Sequence, residues 1–144
     1  MKKSTRPRMS YKNGEIKYMT IVCVDINRFV LHDLKKKVQR IMPEASVHTC
    51  RRTKKALEIV EKKGCDVLIT EIDFDGQKEE GIQLAHKVKD INPSVNIIFV
   101  TACSARDYAQ QIVKLKYSGY LTKPFSNEEL AIELANLRYG QELI

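Results

Sequence analysis

The run Asp66-Val67-Leu68-Ile69-Thr70-Glu71 constrains the fold more than any other stretch of this chain. It is entered from Gly64, leaves on an acidic residue, and is followed by the loop Asp73-Phe74-Asp75-Gly76. A short uncharged run bounded by turn residues suits a strand buried on both faces of a parallel sheet. The side chain of Glu71 then emerges at the carboxyl edge of that strand, where open α/β sheets hold their sites.

The chain on either side repeats the alternation. Met19–Val24 is a β-branched run ending at Asp25, and Asn27 is placed to cap a helix whose apolar face carries Phe29, Val30, Leu34, Val38 and Ile41 before Pro43 closes it. Ser46–Thr49 is short and alternating, an edge strand, and Lys54–Lys63 is an amphipathic helix stopped at Gly64. Beyond the central strand come a helix bearing Ile82, Leu84, Ala85, Val88 and Ile91, ended by Asn92-Pro93, and the buried strand Asn96–Thr101. Ser104-Ala105-Arg106-Asp107 has the form of a capping box opening a helix with Tyr108, Ala109, Ile112 and Val113. Gly119–Thr122 is a brief strand, and Ser126-Asn127-Glu128-Glu129 caps a last helix with Leu130, Leu134 and Leu137 on its face.

Five strands alternating with five helices predict an α/β fold with helices on both faces of a parallel sheet. The first, third and fourth strands are the most apolar and belong at the centre, so right-handed crossovers favour the order 2-1-3-4-5. The order reverses between the first and third strands, which places the site at their carboxyl ends. Asp25, Ile26 and Glu71 are delivered there, joined by Thr101 and Lys123.

A chain of 144 residues is read as one domain. No apolar run approaches the roughly 18 residues a membrane span needs, and no signal-peptide pattern opens the sequence. The four cysteines form no metal-ligand spacing, so reduced and mostly buried thiols in the cytoplasm are expected. Of the net charge of +7, residues 1–17 alone contribute +5, with six basic residues against Glu15. That stretch lacks an apolar period and is interrupted by Pro7 and Gly14, so 1–17 is expected to be a flexible, solvated basic tail, with a phosphate-binding arm as the alternative, ahead of a domain over 18–144. Met19 would itself make a sensible domain start. No helix-turn-helix or other nucleic-acid motif is present, so the core gives no support for nucleic-acid binding.

Residues 19–139 resemble the CheY-like receiver domain of bacterial two-component response regulators, a flavodoxin-like fold. "IVCVDIN" is similar to the family's first strand and acidic pair, "DVLITEI" to its phosphoacceptor strand, "IIFVTA" to its fourth strand and "GYLTKPF" to its fifth. "INPSVNIIFVTA", "KYSGYLTKPFSNEEL" and "ELANLRY" look most like Firmicutes regulators that carry a transcriptional output domain. In such receivers two carboxylates after the first strand hold Mg²⁺, an Asp ending the third strand takes a phosphoryl group, and a Thr and a Lys bind its oxygens. The resemblance implies those roles for Asp25, Thr101 and Lys123, a switch position for Tyr120, and a cis bond at Lys123-Pro124 that aims the lysine.

Two positions depart from the family pattern. Ile26 stands where the second acid belongs, and it ligates nothing. Glu71 stands where the phosphoacceptor belongs, with a carboxylate about 1.5 Å further from the backbone. Displacement of that size costs roughly 10²-fold where catalysis is positional. The expectation is therefore a degenerate, or pseudo-, receiver in phosphorelay signalling, not an enzyme, in which Glu71 is a permanent negative charge facing Lys123. No cofactor is expected, and Mg²⁺ held by Asp25 and Glu71 should be weak or absent. The loop acids Asp73 and Asp75 are expected to be solvated. The partner is expected to be a protein docking on the face of the fourth helix, fifth strand and fifth helix, about residues 104–137, with a homodimer as one form of it. The alternatives are a phosphorylatable receiver with relaxed metal use and the receiver part of a DNA-binding transcriptional regulator.

Overall fold

The computed structural model describes residues 10–12, 15–76 and 78–137. Five strands form one parallel sheet: β1 (Thr20–Val24), β2 (Ser46–Cys50), β3 (Val67–Thr70), β4 (Asn96–Thr101) and β5 (Gly119–Thr122). Their order is 2-1-3-4-5, as the apolar ranking of the strands requires. Ile21 pairs with Val67, Val67 with Asn96, and Ile98 with Gly119, so the carboxyl ends of the three central strands lie side by side.

Alternation along the strands sorts the core into two halves, because successive side chains point to opposite faces. Ile21, Cys23, Val67, Ile69, Ile98 and Val100 pack with α1 (Arg28–Ile41) and α5 (Asn127–Ala135). Val22, Val24, Leu68, Ile97 and Phe99 face α2 (Thr53–Lys63), α3 (Glu80–Ile91) and the segment after β4. β3 and β4 are buried at every position, which is the burial expected of strands covered on both sides.

Helix boundaries follow the capping signals. The Asn27 side chain accepts from the N–H groups of Phe29 and Val30, at 2.9 and 3.2 Å. Ser126 and Glu129 cap reciprocally, Glu129 N–H to Ser126 Oγ at 3.1 Å and Ser126 N–H to Glu129 Oε1 at 3.0 Å. Gly81 opens α3 so close to the chain leaving β3 that a Cβ there would lie 1.8 Å from the Glu71 carbonyl oxygen. Only glycine allows this approach.

Two expectations are corrected. Phe29 is 80 % exposed, and Leu31 takes the buried place on α1 with Leu34 and Val38. The fourth helix is not continuous: 3₁₀ turns at Ala105–Tyr108 and Val113–Leu115 flank one α-turn at Ala109–Ile112, and we label the whole segment α4. Its buried residues, Tyr108, Ile112 and Leu115, recur at intervals of three and four, while Val113 is 65 % exposed. Within the basic tail, Ser10–Lys12 pairs antiparallel with Glu15–Lys17, a ribbon that its sequence did not suggest; residues 1–9 lie outside the described residues.

Candidate functional site

The site is assembled where β1, β3 and β5 end. Asp25 follows β1 and is only 3 % exposed; its backbone N–H is held by the Cys50 carbonyl at 3.2 Å. Its Oδ1 accepts from the N–H of Asn27 at 2.9 Å, so Asp25 fixes the residue that caps α1 rather than capping the helix itself. Glu71 follows β3, its N–H donating to the Val24 carbonyl at 3.0 Å. Lys123 follows β5, its N–H donating to the carbonyl of buried Thr101 at 2.8 Å. The Lys123–Pro124 peptide is cis, as the resemblance implies.

These backbone positions bring three side chains to one point. Lys123 Nζ donates to Asp25 Oδ2 at 2.6 Å and to Glu71 Oε1 at 2.9 Å. The other Glu71 oxygen accepts from the N–H of Ile72 at 2.6 Å. The side chains of Lys123, Glu71 and Asp25 are 22 %, 12 % and 4 % exposed, so water does little to screen them. Burial pushes the Lys123 ammonium toward a lower pKa, but the hydrogen bonds and charges of Asp25 and Glu71 outweigh it and hold the value above the usual lysine range. The expected Glu71–Lys123 pair forms, with one correction: Asp25 competes for the same ammonium and makes the shorter contact.

Ile26 is half-buried and packs toward the core on the α2 and α3 side. Its carbonyl, which otherwise offers an oxygen beside Asp25, accepts from Arg51 Nε at 2.8 Å. Magnesium requires near-octahedral oxygen ligation, usually with one or two carboxylates free to bind it. Here the two carboxylates at the point of convergence already share an ammonium, and no cluster of three metal-ligating side chains occurs among the described residues. This donor set does not fit the Mg²⁺ that the family pattern implies.

The loop after β3 corrects another expectation. Asp73 is not left to solvent: its Oδ1 accepts from the Glu79 N–H at 2.7 Å, and the hydroxyl of buried Tyr108 donates to its Oδ2. Burial first, and then the Asp73 carboxylate, push the Tyr108 hydroxyl well above the usual tyrosine pKa. Asp75 is exposed, 3.6 Å from Arg52. Tyr108 was legible as an apolar helix residue, but nothing local in the sequence pairs it with Asp73, 35 positions away. Tyr120 packs its ring 6.3 Å from those of Phe99 and Tyr117 and donates its hydroxyl to the Cys103 carbonyl at 2.8 Å. The aromatic switch position is thereby tied to the chain just beyond Thr101, not to the charged cluster.

Comparison with known proteins agrees with this architecture. Residues 21–135 match the family described as the response regulator receiver domain. The chain is 37 % identical over 57 residues to the transcriptional regulatory protein RprY of Bacteroides fragilis, covering 40 % of this chain and 24 % of that protein. It is 31 % identical over 80 residues to the transcriptional regulatory protein ZraR of Klebsiella oxytoca, covering 56 % of this chain and 18 % of that protein. The chain thus spans less than a quarter of the length of these two relatives. A response regulator receiver domain from Clostridium thermocellum superposes with a TM-score of 0.71 at 23 % identity, over 83 % of this chain and 93 % of that one, a likeness of fold. By the extent of the family match, and with the fold in agreement, the chain belongs to the response regulator receiver domains of two-component signalling.

Proposed function

We propose that this chain is a degenerate receiver, a cytoplasmic module without enzymatic activity that signals by binding a protein partner and does not depend on phosphorylation. The observation that carries this reading is the Lys123 ammonium shared between Asp25 and Glu71 at 2.6 and 2.9 Å. Phosphoryl transfer to a carboxylate depends on positioning and on cations that neutralise the incoming charge. Here the lysine is already neutralised by resident carboxylates, Ile26 removes a metal ligand, and both Glu71 oxygens are engaged. Glu71 acts as a fixed negative charge against Lys123, a partial copy of a phosphoryl group with one charge and two oxygens.

The partner surface in this reading is the face of α4, β5 and α5, for a second protein or another copy of the chain. Exposed Val113 on α4 and Ile132 on α5 are apolar side chains available to it. The names of the two relatives favour a second context, the receiver part of a longer transcriptional regulator. Incubation with Mg²⁺ and acetyl phosphate tests the central claim. The intact mass should stay unchanged, whereas a stoichiometric gain of one acid-stable, alkali-labile phosphoryl group would overturn the degenerate reading.

A further inference from the structure

The charge of this protein is segregated along the fold. Residues 28–63, which form α1, β2 and α2, hold eleven lysines and arginines against four acids, a net +7. Residues 64–137 hold seven against eleven, a net −4. The basic segment is one edge of the molecule, because β2 is an edge strand and its neighbour β1 lies on one side only. At the carboxyl end of β2 stand Arg51, Arg52 and Lys54, and at its amino end the last turns of α1 and α2 bring Arg40, Lys62 and Lys63; all six are exposed. Between them, Lys35 from one helix layer and Lys63 from the other both act on His48 of β2, which burial and these two charges hold below the usual histidine pKa.

We infer that this β2 edge is a docking surface for the phosphate backbone of duplex nucleic acid, bound without sequence readout. The cations stand at the two ends of α2, whose 11 residues span about 16 Å, with Glu58 and Glu61 exposed between them. That length faces about five phosphates of one strand at about 3.4 Å per phosphate along the duplex axis. Protein partners are anchored by buried aromatic and aliphatic side chains. Among the described residues, β2 and α2 expose no large hydrophobic side chain and the segment 28–63 exposes Phe29 alone, at the start of α1, so this edge offers charge with little such anchoring. The start of β2 lies beside that of β1, where the Ser46 N–H donates to the Met19 carbonyl at 2.8 Å. β5 and α5 lie at the far side of the sheet, so the surface is separate from the proposed partner face.

Fluorescence anisotropy of the full chain with a labelled 20-base-pair duplex of arbitrary sequence tests the assignment. Five phosphate contacts imply a loss of affinity of about 500-fold between 50 and 200 mM salt. The variant R40Q/K54Q/K62Q/K63Q should lower the logarithmic salt slope by about 3.6 and weaken binding at 50 mM salt more than 100-fold. The variant K87Q/K89Q/K114Q/K116Q, with the same change in net charge on other helices, should stay within about threefold of the parent. Circular dichroism confirms that both are folded. Equal losses in the two variants would overturn the inference, leaving only net charge. Absence of binding at 50 mM salt would overturn it, as would binding that depends on residues 1–9 but not on the four β2-edge cations. Equal or tighter binding of poly-L-glutamate would overturn the nucleic-acid assignment in favour of an acidic protein, and of phosphatidylserine vesicles in favour of a membrane surface.

Discussion

Replacing Lys123 with Met keeps most of the side-chain volume and removes the charge that Asp25 and Glu71 share. The two carboxylate oxygens bound to Nζ lie no more than about 5.5 Å apart, so at an effective dielectric of about 20 their repulsion is about 3 kcal/mol once the ammonium is gone. Two charge-assisted hydrogen bonds are lost as well. Surface pairs contribute only about 0–1 kcal/mol, but these carboxylates are 4 % and 12 % exposed, and removing one partner of a buried pair costs about 3–5 kcal/mol. The variant should therefore lose about 3–5 kcal/mol at neutral pH. With no tryptophan in the chain, urea unfolding is followed by far-UV circular dichroism, where a slope of about 2 kcal/mol per molar puts the midpoint roughly 1.5–2.5 M lower. Adding Glu71→Gln removes one of the two facing charges and should return about 2 kcal/mol or more. A loss under about 1 kcal/mol, or no recovery in the double variant, would refute the claim that the cluster is shielded from water.

The same lysine sets a pH dependence. Its pKa is raised in the folded state, so its contribution is complete below the unfolded value of 10.5 and is lost only as pH rises through the higher folded value; stability measured from pH 7 to 9 should show no loss attributable to it. Ile26→Asp together with Glu71→Asp should create Mg²⁺ affinity and acetyl phosphate labelling, while either change alone gains little; full labelling of the Glu71→Asp single variant would show that Ile26 is not a block. Gly81→Ala places a Cβ 1.8 Å from the Glu71 carbonyl, a clash with backbone that should cost about 3 kcal/mol or more and lower the melting temperature by more than 6 °C. Burial pushes the Cys23 thiol up to about 12 and Cys50 to about 11, and raises Cys65 further, so iodoacetamide at pH 8 should add one group to the native protein, at half-buried Cys103, and four in urea.

The pattern of the sheet was legible because burial on two faces leaves a mark on every residue of a strand. Ile97 through Val100 carry no polar side chain, and β4 is buried throughout. Edge position was legible for the converse reason: the mixed polarity of Ser46–Thr49 suits a strand with one open side. Those two facts, with crossover handedness, bring Asp25, Glu71 and Lys123 to one sheet edge before any coordinate is known. Convergence of a lysine on an acid was therefore a matter of sequence.

How the charge is shared was decided only by the tertiary structure. Asp25 and Glu71 are 46 positions apart, and which of them holds Lys123 depends on rotamers and on the Ile72 and Asn27 N–H groups that occupy their other oxygens. Asp73 looked like a solvated loop acid because sequence shows local polarity and not the Tyr108 hydroxyl that α4 places above it. Phe29 looked like core because helical periodicity fixes relative and not absolute orientation; the sheet chose Leu31. The basic edge lies between these cases. Every charge is written in the sequence, yet α1, β2 and α2 become one surface only when β2 takes the outside position, because charges act through distance in space and not along the chain.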